Sequence, residues 1–264
     1  MERLLADDGC PWDREQSLES LRPFLIEEAY EVLEAIDAND APGHCDELGD
    51  LLFQVVFQSA LRAREGKFGI DDVVGAIANK MTFRHPHVFG DVEVKDSKEV
   101  LTNWDKLKQQ ERGDKPPKKT LEGVPIGLPA LLRAQRIGDK AAKVGFDWPD
   151  SAGVIAKIRE EVEEIEEAIV GGDPEHIAHE VGDLLLAASR LSSKLGVPPE
   201  DALRAATARF EKRFGVIEDA LAQDGRGPRD ATLEEMDRIW DQAKRAETSQ
   251  TRNLPPAKLS EPKK

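Results

Sequence analysis

The chain is short of cysteine, of basic residues and of long apolar runs, and each shortage removes a class of protein. Its 264 residues include only two cysteines, Cys10 and Cys45, which form neither a CxxC pair nor a zinc spacing. With no signal peptide visible in MERLLADDGC, a reducing cytoplasm is the expected compartment. Lysine and arginine number 37 against 52 acidic residues, a net charge of −15. A generic binder of nucleic-acid polymers carries a basic footprint, so that class is set aside. A nucleotide substrate is not excluded, because a bound metal reverses the local field. No apolar run approaches a membrane span, and the greasiest stretch, LLFQVVF at 51–57, reads as a buried helix. Aromatics are sparse at 5%, while apolar residues at 39% suffice for helical cores. Strand signals are weak throughout. No Glu-x-x-His occurs anywhere, which argues against a ferritin-like di-iron bundle.

What the chain does have is a set of acids written twice. Glu28, Glu31, Glu47 and Asp50 are followed, each 133 positions later, by Glu161, Glu164, Glu180 and Asp183. The chain is therefore a duplication, and oxygen ligands of this kind hold hard cations such as Mg²⁺ beside a substrate phosphate. A solvated charge run is the plainer explanation of EEVEEIEE. A stable exposed face, however, would pair each Glu with a base four residues on, whereas Glu160 faces Glu164 and Glu163 faces Glu167. Each such like-charge pair costs about 0.2–0.5 kcal/mol. A bound cation accounts for that crowding more economically. Glu161 and Glu164 lie one turn apart on one helix, as do Glu180 and Asp183 on the next. A short turn makes these helices antiparallel neighbours, so both pairs converge on one pocket.

Helical periodicity supports an all-α fold of two tandem units. Ile158, Val162, Ile165 and Ile169 mark one face of a helix that stops at Gly171-Gly172. Asp173 is the expected N-cap of the next helix, with Pro174 at its first position. A further helix is expected from about Glu200 to Leu221. In the first unit, helices are expected over roughly 18–38 and 44–64, broken by NDAPG at 39–43, with Asp71-Asp72 opening a third. The expected boundaries are 1–112 for the first unit, 113–128 for a linker rich in Pro, Gly and Lys, and 129–247 for the second unit. The segment 248–264 lacks a periodic face and is expected to be a disordered tail.

Basic groups should face any phosphate. The second unit offers Arg209 and Arg213, i,i+4 on one helix face, with Lys212 adjacent; the first offers Lys80 and Arg84 at the same spacing. Lys157 lies one turn before Glu161, while the first-unit position at the same offset is Phe24. Trp104 and Trp240 each follow the basic segment of their unit, to pack in the core or stack on a base. Trp12 and Trp148 precede the two acidic helices as packing groups or pocket walls. His85 and His87 flank Pro86, which ends or kinks its helix. His176 and His179 read as surface or substrate-edge residues rather than direct metal ligands.

These residues resemble the MazG family of nucleoside triphosphate pyrophosphohydrolases in its two-domain form. The resemblance covers about 1–247 and rests on GCPWD, LIEEAYEVLEAI, ELGDLLFQVVF, RHPHVFGD, LPALLRAQ, VGFDW, EEVEE, EVGDLL and RFEKRF. It implies tandem helical domains with four-helix-bundle cores completed by dimerisation. It implies Mg²⁺-dependent hydrolysis of an NTP or dNTP to monophosphate and pyrophosphate, as in cleansing of a nucleotide pool. Carried onto this sequence, the metal ligands would be Glu161, Glu164, Glu180 and Asp183, and the nucleotide contacts Lys157, Arg209, Arg213 and Trp240. The C-terminal copy is expected to carry the activity, although the first copy keeps all four acids. Glu160 or Glu161 would take the proton of the attacking water. The alternatives are a non-catalytic nucleotide- and metal-binding scaffold, or a narrower enzyme acting on one nucleotide such as dUTP.

Overall fold

The computed structural model describes residues 1–111 and 119–252, and every regular element among them is helical. The chain divides into two compact units, Met1–Pro116 and Pro117–Lys264. The expected linker falls partly on 112–118, and the expected tail mostly on 253–264, which lie outside the described residues. Residues 248–252 continue the last helix.

The first unit contains α1 (Pro11–Glu15), α2 (Arg22–Asp37), α3 (Ala41–Arg64), α4 (Ile70–Arg84), α5 (Pro86–Phe89) and α6 (Ser97–Gln110). Helices α2 and α3 form its central hairpin. Phe57 of α3 is fully buried against Leu5 and Leu21, with Met1, Phe24, Ala60 and Leu61 packed around them. Burying a side chain of that size contributes about 1.5–3 kcal/mol. Helix α2 begins four residues later than the periodicity suggests. Ser17 and Ser20 instead exchange backbone-to-hydroxyl bonds of 2.9 and 3.1 Å, which hold 17–20 in a turn.

The second unit contains α7 (Ala130–Lys143), α8 (Ser151–Gly171), α9 (Pro174–Lys194), α10 (Pro199–Gln223), a 3₁₀ turn at Pro228–Asp230 and α11 (Leu233–Arg252). Helices α8 and α9 form the corresponding hairpin; α7 packs on α9 and α10, and α11 packs on α10.

The two hairpin turns repeat residue for residue. Asn39 and Gly172, 133 positions apart, both take positive φ, 52° and 70°; that conformation ends the first helix cheaply for Gly or Asn. The next residue caps the second helix. Asp40 accepts from the Gly43 amide at 3.1 Å, and Asp173 from the Glu175 amide at 3.0 Å. The first-unit break is shorter than the NDAPG segment, since Ala41, Pro42 and Gly43 already form the first turn of α3. Proline is at home there because its missing N–H would have no intrahelical acceptor.

The entry to α8 is held by a cluster of charges. Arg190 of α9 donates through Nε and Nη2 to the two oxygens of Asp147 at 2.8 and 2.5 Å, and through Nη1 to Asp139 at 3.2 Å. Lys194 adds a bond to Asp147 at 2.9 Å. These two cations hold the Asp147 carboxyl well below the usual carboxylate range. One residue on, Trp148 lies against Gly153, where a Cβ would come within 2.7 Å of the indole. The segment before α8 is thus clamped to α9 and α8 alike, which fixes where Lys157 and the acids of α8 stand.

Candidate metal and phosphate site

In the second unit the hairpin brings acids from two helices together. One carboxylate oxygen each from Glu161, Glu164 and Glu180 lies within 4.8 Å of the others, and His179, Glu180 and Asp183 form a second such group. Glu161 and Glu180 keep only 3% and 8% of their surface exposed. Buried carboxylates need a cationic or hydrogen-bonding partner, and Lys157 supplies one. Its ammonium lies 2.6 Å from Glu160, 2.9 Å from Glu161 and 3.8 Å from Glu164. The expectation that these acids lack a local partner is therefore corrected. The base precedes Glu160 and Glu161 by three and four residues, one helical turn on the N-terminal side. Hydrogen bonds to Glu160 and Glu161 raise the Lys157 pKa, fixing its positive charge. Burial raises the Glu164 pKa, opposed by Lys157 and reinforced by Glu161 and Glu180.

The histidines reach the acids from the exposed side of the hairpin. His176 Nε2 and His179 Nδ1 lie 3.1 and 3.2 Å from the same Glu180 oxygen, and His179 Nδ1 lies 3.4 Å from Asp183. The hydrogen bond with Glu180, then the charge of Asp183, raises the His179 pKa. The signal was present in the sequence, because both pairs are one helical turn apart (176 to 180, 179 to 183).

The first unit assembles the same acids around different neighbours. Oxygens of Glu28, Glu31 and Glu47 also meet within 4.8 Å. Phe24, in the place of Lys157, stacks edge-on against Trp12 at 5.8 Å instead of meeting the carboxylates. Without an ammonium, burial and then Asp50 and Glu31 raise the Glu28 pKa, and burial, Glu31 and Asp50 raise that of Glu47. Gln54 partly compensates by hydrogen-bonding Glu28, while its own buried Oε1 has no partner. At the same offset the second unit has Ala187. Glutamine for alanine and phenylalanine for lysine separate the sites, as do Gly43 and Asp46 in the places of His176 and His179.

The bases lie on α10 and α4. Arg213 donates to Glu247 of α11 at 2.9 Å and sits 5.5 Å from the centre of the Trp240 ring. Trp240 also packs against Phe210 at 5.1 Å, so it is a wall of the α10–α11 contact. Lys212 stands 3.8 Å from Glu247; Arg209 is exposed and makes no ion pair among the described residues. In the first unit Arg84 pairs with Glu111, Lys80 is exposed, and Trp104 packs 5.7 Å from His85. Among the described residues, no ion pair joins Arg209, Lys212 or Arg213 to the four acids.

Clustered carboxylate oxygens match the donor set of a hard divalent cation, so each acid group can hold one. The MazG nucleotide pyrophosphohydrolase domain matches residues 16–89 and 151–214, the two acid-bearing hairpins and the helices beside them. The chain belongs to the MazG family. It is 42% identical over 245 residues to a nucleoside triphosphate pyrophosphohydrolase of Escherichia coli, covering 91% of this chain and 92% of that one. A nucleoside triphosphate pyrophosphohydrolase/pyrophosphatase MazG of Thermotoga maritima is 43% identical over 244 residues, covering 92% of each. The uncharacterized protein YabN of Bacillus subtilis is 41% identical over 92% of this chain, which spans 50% of its length. This MazG chain is thus matched over nearly its whole described length. No helix among its described residues is long and apolar enough to cross a membrane.

Proposed function

We propose that this MazG chain hydrolyses nucleoside triphosphates to the monophosphate and pyrophosphate, in a cytoplasmic role of nucleotide-pool cleansing, with the second unit as the active copy. The observation that carries the choice of unit is the α8–α9 hairpin, where Glu161, Glu164 and Glu180 meet beside an ammonium, Lys157. The first unit gathers its acids without one.

Glu161, Glu164, Glu180 and Asp183 would hold Mg²⁺, with Glu28, Glu31, Glu47 and Asp50 as the corresponding set in the first unit. When bound, the cation neutralises phosphate charge and makes water more acidic. The chain's own groups do the rest. Glu160 is 57% exposed at its side chain and stands outside the carboxylate group of Glu161, Glu164 and Glu180. It is therefore the glutamate left to take the proton of the attacking water once Lys157 turns from it to the phosphate, Glu161 being committed to the cation. The water oxygen bonds to the α-phosphorus, the bond from that phosphorus to the α–β bridging oxygen breaks, and pyrophosphate leaves with the bond's electron pair. Lys157, Arg209, Lys212 and Arg213 grip the phosphates, and Trp240 borders the nucleotide. Lys80, Arg84 and Trp104 are the first-unit equivalents.

The core of the second unit is completed by a second copy. Ile155, Val162 and Ile169 recur every seven residues along α8 and are exposed, as are Val181 and Leu185 of α9. A hairpin with an uncovered apolar stripe of this kind completes a four-helix core by pairing.

Hydrolysis of an NTP panel in ¹⁸O-labelled water tests the reaction. The label should enter the monophosphate, with one pyrophosphate released per turnover. Label in inorganic phosphate, with a diphosphate as co-product, would overturn the assignment. Binding of nucleotide and metal without any turnover would favour the non-catalytic scaffold.

A further inference from the structure

Both units close on one and the same arrangement, and it occupies the phosphate-binding arginines. In each, the last helix carries a tryptophan and a glutamate follows seven residues on, Trp240 and Glu247 within α11, Trp104 in α6 and Glu111 directly after its end. Seven residues are two helical turns, so the two side chains leave from one face. In each, the glutamate reaches back to the arginine of an earlier helix. Arg84 Nε approaches both Glu111 oxygens at 3.2 and 3.1 Å, and its Nη2 reaches Oε2 at 2.5 Å. Arg213 Nε donates to Glu247 Oε2 at 2.9 Å, with Nη2 2.8 Å from the same oxygen and Lys212 3.8 Å from Oε1. The pairs span 27 and 34 residues, so neither is a by-product of local helix spacing. The Arg213 and Glu247 side chains keep only 19% and 24% of their surface exposed, which limits screening by solvent.

A carboxylate oxygen sits against a guanidinium as a phosphate oxygen does, and an arginine so engaged has its Nε–Nη2 edge filled. We propose that Glu247 is an internal stand-in for substrate phosphate: it occupies Arg213 in the nucleotide-free protein and is displaced when the triphosphate binds. Glu111 does the same for Arg84. Lys157 is handled likewise, held by Glu160 and Glu161 until an anion competes. Arg213, Arg84 and Lys157 are thereby neutralised at rest, and weak anions do not displace their carboxylates. Glu247 touches no reacting atom; it is a positioning residue acting through Arg213. The inference rests on Arg213 gripping phosphate.

The test uses the full-length chain. Glu247→Gln removes the competing charge and keeps the shape; Glu247→Ala removes the side chain. Both should lower KM for NTP and the inhibition constant for inorganic pyrophosphate together, by roughly two- to fivefold. The gain in kcat/KM should lie wholly in KM, because displacing the carboxylate belongs to binding. A glutamate that only braces α11 on α10 would instead shift the melting temperature and leave KM unchanged or raised. That result overturns the proposal. Arg213→Gln separates the two levels. It should raise KM roughly tenfold or more, and if it does not, Arg213 is no phosphate ligand and the stand-in role falls with it. If it does while both Glu247 variants keep the wild-type KM, the stand-in role alone falls.

Discussion

Replacing Lys157 by methionine isolates the ammonium that the second acid site has and the first lacks. The ammonium lies 2.6 Å from Glu160 and 2.9 Å from Glu161, and Glu161 is 3% exposed. Removing one partner of a fully buried pair costs about 3–5 kcal/mol. Lys157 keeps 32% of its side chain exposed, so water takes over part of its role and an exposed pair is worth about 1 kcal/mol or less. A loss of roughly 1–2 kcal/mol in the second unit follows, when no divalent cation is present. For a unit of this size that lowers its melting transition by roughly 3–8 °C. Saturating Mg²⁺ places a larger positive charge among the same carboxylates, so most of the loss should vanish with metal. Calorimetry of wild type and Lys157→Met in chelator and in Mg²⁺ reads both numbers, with the first unit's transition as internal reference. Equal losses in the two buffers would refute the idea that ammonium and metal share one set of carboxylates.

Further outcomes follow from the acid sites and from the Asp147 cluster. Because folding raises the Glu28, Glu47 and Glu164 pKa values, the folded chain binds more protons there than the unfolded one. The chelated protein therefore loses stability from these groups as pH rises from the ordinary value of 4.5 through the raised values. The stabilisation added by Mg²⁺ should accordingly be larger at pH 7 than at pH 5 in thermal melts, and a flat difference would speak against raised carboxylates. Asp147→Asn should cost about 2 kcal/mol at neutral pH, since it leaves Arg190 and Lys194 facing each other without the shared carboxylate. The Asp147 pKa is lowered, so the gap to wild type is complete above 3.8 and closes as pH falls below it; denaturant melts at pH 7 and pH 3 check this.

The acid sites were legible because duplication and helix periodicity are both local. One offset locates Glu28, Glu31, Glu47 and Asp50 against Glu161, Glu164, Glu180 and Asp183, and the same offset carries the turn residues Asn39 and Gly172 and the caps Asp40 and Asp173. Side-chain partners across helices were not legible. Arg190 meets Asp147 from 43 residues away, and Glu247 meets Arg213 from 34; no spacing rule reaches so far in a chain where 34% of residues are charged. Gln54 falls between these cases. Its exchange for Ala187 can be read from the offset, but its bond to Glu28 appears only once α2 and α3 are packed.

The most direct test of the account compares the full-length chain carrying Glu47→Gln with one carrying Glu47→Gln and Glu180→Gln, by pyrophosphate release from NTP with Mg²⁺. Glu180 is buried with Glu161 and Glu164 at the meeting of α8 and α9, so adding its substitution should abolish turnover while helical circular dichroism stays intact. Pyrophosphate release that persists in the double variant would contradict the assignment of catalysis to the second hairpin.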